Sequence, residues 1–172
     1  LGAKTTLVSG PTSLAEPNVE QVIKVNSADE MLEACESSLP ADIAVCAAAV
    51  ADYKIANKEI AKIKKDGSRQ NIILEENPDI LERLSKRNHL RPKLVVGFAA
   101  ETSNLERNSD EKLSKKGCDW VLGNNVSENS IFNQDTNKIY FTSKLYSENW
   151  ELMTKKEVAK KLCQKISLHL NN

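Results

Sequence analysis

Charge of either sign is not in excess in this chain, because 24 lysines and arginines balance 24 aspartates and glutamates. A formal net charge of zero argues against general nucleic-acid binding and against adsorption to a membrane surface. No apolar run reaches the roughly 18 residues of a membrane-spanning helix. We therefore expect neither nucleic acid nor a membrane among the partners.

Cysteine and histidine are also few. The four cysteines are widely spaced and form no C-x-x-C pair: Cys35, Cys46, Cys118 and Cys163. This spacing favours small hydrophobic side chains in a reducing, cytoplasmic setting over zinc ligands or disulfides. The two histidines, His89 and His169, fall near predicted helix ends and are expected at the surface. No Ser–His–Asp or Cys–His constellation is evident.

A composition of 40% hydrophobic and 28% charged residues predicts one globular domain over residues 1–172. Strands are predicted at residues 5–8, 19–25, 42–48, 72–74, 94–98 and 120–123. A first helix is predicted from Ser27, which forms a capping box with Glu30. A second is predicted with Asn77 as its N-cap and Pro78 as its first residue. A third is predicted over residues 105–116 and ends at Gly117. This alternation predicts an α/β fold with a doubly wound, mainly parallel, Rossmann-like sheet. A C-terminal hairpin (138–142 and 145–152) and a helix (154–170) follow.

The most informative segment joins a strand to a run of alanines, residues 47–53 (AAAVADY). The apolar residues before it do not alternate, which is typical of a central strand covered on both faces. Small residues at the carboxyl end of such a strand let a ligand approach the backbone. Tight packing of the strand end explains the alanines as well, and a cap on the next turn is an alternative role for Asp52.

A cationic loop follows, with five basic and two acidic side chains between Lys58 and Arg69, a net charge of +3. Such a loop beside the carboxyl end of a strand suits a lid that closes over a polyphosphate. A surface loop with solvated lysines is the alternative.

Further candidate positions each have a structural alternative. Capping alone explains Asn77 and Pro78, and Phe98 either stacks on a base or belongs to the core. Lys112 and Lys116 are four residues apart and so share one helix face. Solvation is the default interpretation of that face.

In their order and spacing, these motifs resemble phosphopantothenoylcysteine synthetase (phosphopantothenate–cysteine ligase), from residue 1 to about residue 142. The resemblance rests on residues 2–11 (GAKTTLVSGP), 47–53, 62–65 (KIKK), 77–81 (NPDIL), 96–102 (VGFAAET), and 112–119 (KLSKKGCD) with Asn124. Each motif alone is weak, but six in the family's order are specific. The lysine-rich segment is closer to the bacterial, CTP-dependent form than to the eukaryotic, ATP-dependent form.

The resemblance implies a ligase of coenzyme A biosynthesis that joins 4'-phosphopantothenate to L-cysteine through an acyl-cytidylate, with CTP as co-substrate and Mg²⁺. It implies Lys62 as the catalytic residue, Ala48 and Ala49 as substrate contacts, and no assigned metal ligand. At residues 77–80 the family's backbone reads the base. The nucleotide contacts that it implies are Ala47, Ala48, Asp52, Lys62, Asn77, Pro78, Asp79, Ile80, Phe98, Lys112 and Lys116.

The family is dimeric, and residues 139–152 carry four of the eight aromatic residues, which predicts a homodimer through the hairpin. A strand that folds onto its own domain would use these aromatics equally well. The family also places a first strand and a glycine-rich turn, and often a flavin-dependent decarboxylase, upstream of the segment that matches residue 1. We therefore expect an incomplete ligase domain that binds CTP weakly, with FMN only in an upstream domain.

Two rival classes stand beside the ligase. One is a Rossmann-type nucleotide-binding or NAD(P)-dependent redox domain. The absence of a G-x-G-x-x-G motif after a strand argues against it, although the usual place of that motif would lie upstream of residue 1. The other is a non-catalytic scaffold with the same fold. Nucleotide-dependent release of pyrophosphate separates all three.

Overall fold

The computed structural model describes residues 2–57, 71–126 and 136–171. The strands of this part are β1 Thr6–Ser9, β2 Gln21–Lys24, β3 Ile43–Cys46, β4 Tyr53–Ile55, β5 Leu74–Glu76, β6 Leu94–Glu101, β7 Trp120–Asn125, β8 Thr136–Ser143 and β9 Ser147–Thr154. The helices are α1 Ala28–Ser37, α2 Ile80–Ser85, α3 Leu105–Lys116 and α4 Lys155–Leu170. Among these helices, none combines the length and apolarity that crossing a membrane requires.

A five-stranded sheet in the order β3-β6-β7-β8-β9 forms the centre of the molecule. Its first three strands are parallel, and β7, β8 and β9 pair antiparallel, so the sheet is mixed. β1 and β2 form a separate parallel pair, and β4 and β5 form an antiparallel ribbon. The predicted α/β architecture with a C-terminal hairpin and helix is confirmed.

Helices cover both faces of the central sheet because side chains alternate along its strands. On β6, Leu94 and Val96 face the core that α4 closes. Val95 and Ala99 belong to the opposite core, together with Leu81 of α2 and residues of α3. The sheet is therefore the middle of three layers, as the doubly wound prediction requires.

Helix α4 begins with a capping box: Thr154 accepts a hydrogen bond from the Glu157 amide, and the Glu157 carboxylate accepts one from the Thr154 amide. Its buried stripe is Val158, Leu162 and Ile166, which are four residues apart. Burying each such side chain contributes about 1.5–3 kcal/mol. This stripe holds α4 against the C-terminal strands.

The expectation that the hairpin aromatics form an exposed interface is wrong for three of the four. Tyr140, Phe141 and Trp150 are buried, and only Tyr146 is half exposed. Phe141 stacks on Trp150 with ring centroids 6.0 Å apart. The hairpin folds onto its own domain because α4 covers the face that carries Phe141 and Trp150, and α3 covers the opposite face, where the Tyr140 hydroxyl lies 3.4 Å from Asp110.

The expectation that the strand before the alanines is central and covered on both faces is also wrong for the described residues. There, β3 pairs only with β6 and forms one edge of the five-stranded sheet. The Val45 side chain is 47% exposed. An unbroken apolar run shows that a strand is apolar on both sides, but it does not reveal how many neighbours the strand has.

Candidate nucleotide-binding site

The alanine segment leaves β3 at the carboxyl end of the parallel strands. Cys46 pairs with Gly97 of β6, so the alanines begin at the level of Phe98. The side chains of Ala47, Ala48 and Ala49 are exposed. With only methyl groups along its surface, this segment allows a ligand to contact the backbone, as its composition predicts.

Asn77 is bound to the end of the alanine segment by two hydrogen bonds, one to Asp52 and one to Ala51. The Asn77 amide donates to the Asp52 carbonyl at 2.8 Å, and its side-chain Nδ2 donates to the Ala51 carbonyl at 2.8 Å. These bonds close the base of the β4–β5 ribbon. The Asn77 Oδ1 is buried and has no hydrogen-bond partner among the described residues.

The prediction that Asn77 caps α2, with Pro78 at its first position, is wrong. The N-cap is Asp79, whose Oδ1 accepts a hydrogen bond from the Glu82 amide at 2.8 Å. Helix α2 therefore begins at Ile80, whose side chain is buried in the core. The Asn77 Oδ1, which is the atom that would cap, accepts no hydrogen bond from the described residues, so Asn77 does not cap the helix.

Lys112 and Lys116 lie on one face of α3, as their spacing predicts, and both have partners. The Lys112 Nζ donates to the Phe98 carbonyl at 2.7 Å. The Lys116 Nζ is 2.5 Å from the Asp79 Oδ2. Helix α3 thereby joins the alanine end of β6 to the turn at Asp79.

The charges around Asp79 alter its acidity. Burial by itself would raise the pKa of the Asp79 carboxyl, but hydrogen bonds from Lys116 and from the Glu82 amide, with the charges of Lys116 and Lys112, lower it below its usual range. The hydrogen bond to Asp79 raises the pKa of Lys116, although partial burial opposes this. The carboxylate and the ammonium are therefore both charged at neutral pH.

Two glycines that sequence reasoning did not assign set the positions of α2 and α3. A Cβ on Gly97 would lie 2.6 Å from the Leu81 Cδ2, and a Cβ on Gly123 would collide with the Ser109 side chain. Both glycines lie inside strands, where glycine often marks a close approach of another element. That signal was available in the sequence, but it did not identify the approaching helix.

Glu82 is another residue that the sequence did not single out. Its Oε2 is 3.7 Å from the Lys116 Nζ, so Lys116 faces two carboxylates. Cys46 lies where β3 ends, and burial raises the pKa of its thiol to about 12. Cys46 is therefore a packing residue, as its sequence context indicates.

The structure places the other predicted site residues as follows. The Phe98 side chain packs partly against the core beneath α4, while its carbonyl faces Lys112. Asn124 continues β7, which ends at Asn125 rather than at Gly123. Lys62, the predicted catalytic residue, lies outside the described residues, as do the other charged residues of its loop.

A dedicated metal cage is absent from the described ranges, where no three His, Cys, Asp or Glu side chains gather in a way that could hold an ion. The oxygens of Asp79 are occupied by the Glu82 amide and by Lys116. Asp52 is the first carboxylate after the alanines along the chain, and its exposed side chain forms no ion pair within the described residues.

The sequence matches, over residues 1–169, the model of a protein family described as DNA/pantothenate metabolism flavoprotein C-terminal domain. The chain belongs to this family. A relative from Haemophilus influenzae, the coenzyme A biosynthesis bifunctional protein CoaBC, is 38% identical over 166 residues, which are 96% of this chain and 41% of the relative. Another relative, from an unknown prokaryotic organism, is a cysteine/cysteine sulfinic acid decarboxylase, 37% identical over 170 residues, 96% of this chain and 47% of the relative.

Among solved structures, the C-terminal domain of a coenzyme A biosynthesis bifunctional protein CoaBC superposes with a TM-score of 0.78 at 32% identity. The match covers 99% of this chain and 76% of that domain. The chain spans less than half the length of the curated relatives described above.

Proposed function

We propose that this domain binds CTP at the carboxyl ends of β3 and β6 and takes part in coenzyme A biosynthesis. Its reaction is the joining of 4'-phosphopantothenate to L-cysteine. The observation that carries the proposal is the meeting of three elements at one end of the sheet: the alanine segment, the turn at residues 77–80, and the α3 face with Lys112 and Lys116. Membership in the family supports the same assignment.

The polar groups of this region suit a nucleotide. Lys112 and Lys116 supply positive charge for phosphate oxygens. The buried Asn77 Oδ1, which lacks a hydrogen-bond donor in the described part of the chain, suits the exocyclic amine of a base. The exposed alanines leave room for the pantothenoyl carboxylate beside the α-phosphate.

The proposed chemistry has two steps. The carboxylate oxygen of 4'-phosphopantothenate attacks the α-phosphorus of CTP and expels pyrophosphate, which leaves an acyl-cytidylate. The cysteine amine then attacks the acyl carbon, the amide bond forms, CMP departs and the amine loses a proton. Positioning and neutralisation of phosphate charge are what the protein must supply, and Lys62 is the proposed main cation for the first step.

Magnesium is proposed to arrive with the phosphates of CTP. Mg²⁺ usually keeps several waters and binds through one or two carboxylates together with substrate phosphates. We propose Asp52 for this role because it follows the alanines along the chain and because its oxygens have no lysine or arginine partner in the described ranges. A cytoplasmic location is proposed with this metabolic role.

The test is an assay of pyrophosphate release by the native full-length protein. Release should require CTP, 4'-phosphopantothenate and cysteine for sustained turnover, and the amide product should appear with CMP. Reduction of NAD(P) without pyrophosphate would support the redox alternative, and carbon dioxide release from cysteine would match the decarboxylase relative. Either outcome, without pyrophosphate, would refute the ligase assignment.

We also propose that the protein is a homodimer and that the β4–β5 ribbon supplies the interface. Lys54, on one face of the ribbon, pairs with Asp29 of α1 and with Glu75. The outer face carries Tyr53, Ile55 and Leu74, which are 56%, 45% and 56% exposed, and at its base Glu76, the cross-strand partner of Tyr53. An apolar strand face of this kind suits a second copy of the same ribbon.

The interface is tested by Ile55→Lys, measured by light scattering across a range of concentrations. We expect the variant to shift toward monomer, because a lysine at the centre of the apolar face must be desolvated on association. The matched control is Leu145→Lys, since Leu145 is 90% exposed and lies in the β8–β9 turn. Equal effects of both substitutions would contradict the assignment of the interface to the ribbon.

A further inference from the structure

The two site lysines of α3 differ in how their charge is neutralised. The Lys116 Nζ lies 2.5 Å from the Asp79 Oδ2 and 3.7 Å from the Glu82 Oε2. The Lys112 Nζ donates to the neutral Phe98 carbonyl and forms no ion pair with a carboxylate in the described ranges. The charge of Lys112 is therefore compensated less than that of Lys116, because Asp79 acts on Lys112 only from a distance, whereas Lys116 has two acidic partners within 4 Å.

We infer that the Asp79 carboxylate is a built-in competitor for the phosphates of the nucleotide, and that Lys116 reaches them only by leaving Asp79. The inference rests on the proposed function and deepens it. A polyphosphate that Lys112 holds at one end presents several negative oxygens to Lys116, one turn further along the helix. When pyrophosphate departs, Asp79 recaptures the ammonium and so favours release.

The geometry of Asp79 allows this exchange without loss of α2. The two carboxylate oxygens have separate partners: Oδ1 caps the helix through the Glu82 amide, and Oδ2 binds Lys116. When Lys116 leaves, the cap remains. Asp79 also keeps 37% of its side chain exposed, so water can solvate the oxygen that Lys116 vacates.

Asp79→Asn tests the inference because asparagine keeps the capping oxygen and removes the charge. Isothermal titration calorimetry with CTP and with inorganic tripolyphosphate measures the affinity, and circular dichroism verifies the fold. We expect both ligands to bind about fivefold more tightly, the scale of a partly exposed ion pair. Glu82→Gln, which removes the more distant partner, should act in the same direction and less strongly.

The same substitution in a Lys116→Met background separates competition from a general effect of charge. Competition requires that Asp79→Asn then changes the affinity by less than about twofold. Equal tightening in both backgrounds would mean that Asp79 acts through its charge alone, and weaker binding by Asp79→Asn would mean that it holds Lys116 in the binding position. Either result overturns the inference.

The two ligands distinguish this inference from the proposed function. Tighter tripolyphosphate binding by Asp79→Asn would support the exchange. If the protein at the same time bound CTP no better than other nucleotides, the CTP assignment would be contradicted. CTP binding that does not respond to the substitution would overturn the exchange alone. Wild-type protein that binds neither ligand would overturn both.

Discussion

Leu81 of α2 packs directly onto the backbone of Gly97 in β6, at a position where a Cβ would lie 2.6 Å from the Leu81 Cδ2. The contact brings Asp79, at the start of the same helix, to the end of the strand that carries Phe98. A single hydrogen in place of a methyl group thus sets the spacing between two parts of the candidate site.

Gly97→Ala should therefore destabilise the protein by about 1–3 kcal/mol, the usual effect of an overpacked core. Urea unfolding followed by circular dichroism measures the free energy of unfolding. Gly10→Ala is the matched control, since its Cβ would meet only the Met31 Cε at an ordinary 3.7 Å. Equal stability of the two variants would show that α2 can shift away from β6 without loss.

The acid stability of the protein should depend on Asp79. Burial alone would raise the pKa of this carboxyl, but Lys116 and the capping amide lower it in the folded state. The ionised carboxylate therefore stabilises the folded state at pH values above its pKa in the unfolded chain, roughly 4. This stabilisation is lost as the pH falls through the lower pKa that Asp79 has in the folded state. Asp79→Asn should lose stability near neutral pH and show a weaker pH dependence below about pH 4. Parallel pH profiles for wild type and variant in urea unfolding would contradict this.

The four thiols should react at very different rates. Burial raises the pKa of Cys46 to about 12 and that of Cys118 to about 11, whereas Cys163 is exposed on α4. The thiolate is the reactive form, so alkylation at neutral pH should occur first at Cys163. Peptide mass spectrometry after brief treatment with iodoacetamide measures the order. Modification of Cys46 as fast as Cys163 would show that β3 opens readily.

Lys62→Gln should lower turnover far more than it raises the KM for the nucleotide. Positive charge matters most when the α-phosphate becomes pentacoordinate, so its loss acts on the transition state more than on binding. Steady-state kinetics of pyrophosphate release with CTP measure both constants, and Lys64→Gln is the control within the same loop. Near-normal turnover would identify Lys62 as a solvated loop residue, and equal activity with ATP would refute the preference for CTP.

Local signals in the sequence predicted α1, α3 and α4 closely, whereas the start of α2 was misplaced. Helix α3 begins and ends where the prediction placed it, with Gly117 in the left-handed conformation at its end. Thr154 and Glu157 also form a capping box at the predicted start of α4. Periodicity and capping depend on residues within a few positions of each other, so one sequence is sufficient to detect them.

Long-range partners account for what the sequence did not reveal. Asparagine before proline is typical of a helix N-cap, but the Asn77 side chain instead donates a hydrogen bond to the Ala51 carbonyl, 26 residues earlier. Trp150 belongs to a cluster of aromatic residues that suggested an interface, but α4 covers its side chain. The spacing of Lys112 and Lys116 placed them on one face of α3. It could not show that Lys116 would pair with Asp79 and that Lys112 would donate to the Phe98 carbonyl.

The base of the β4–β5 ribbon has a mechanical consequence. The chain enters the ribbon at Asp52 and leaves it at Asn77, and the hydrogen bond between their backbones fastens these two turns to each other. Lys54, through Asp29, ties the same ribbon to α1. A displacement of the ribbon, such as one caused by contact with its outer face, would therefore move Asp52 and Asn77 together.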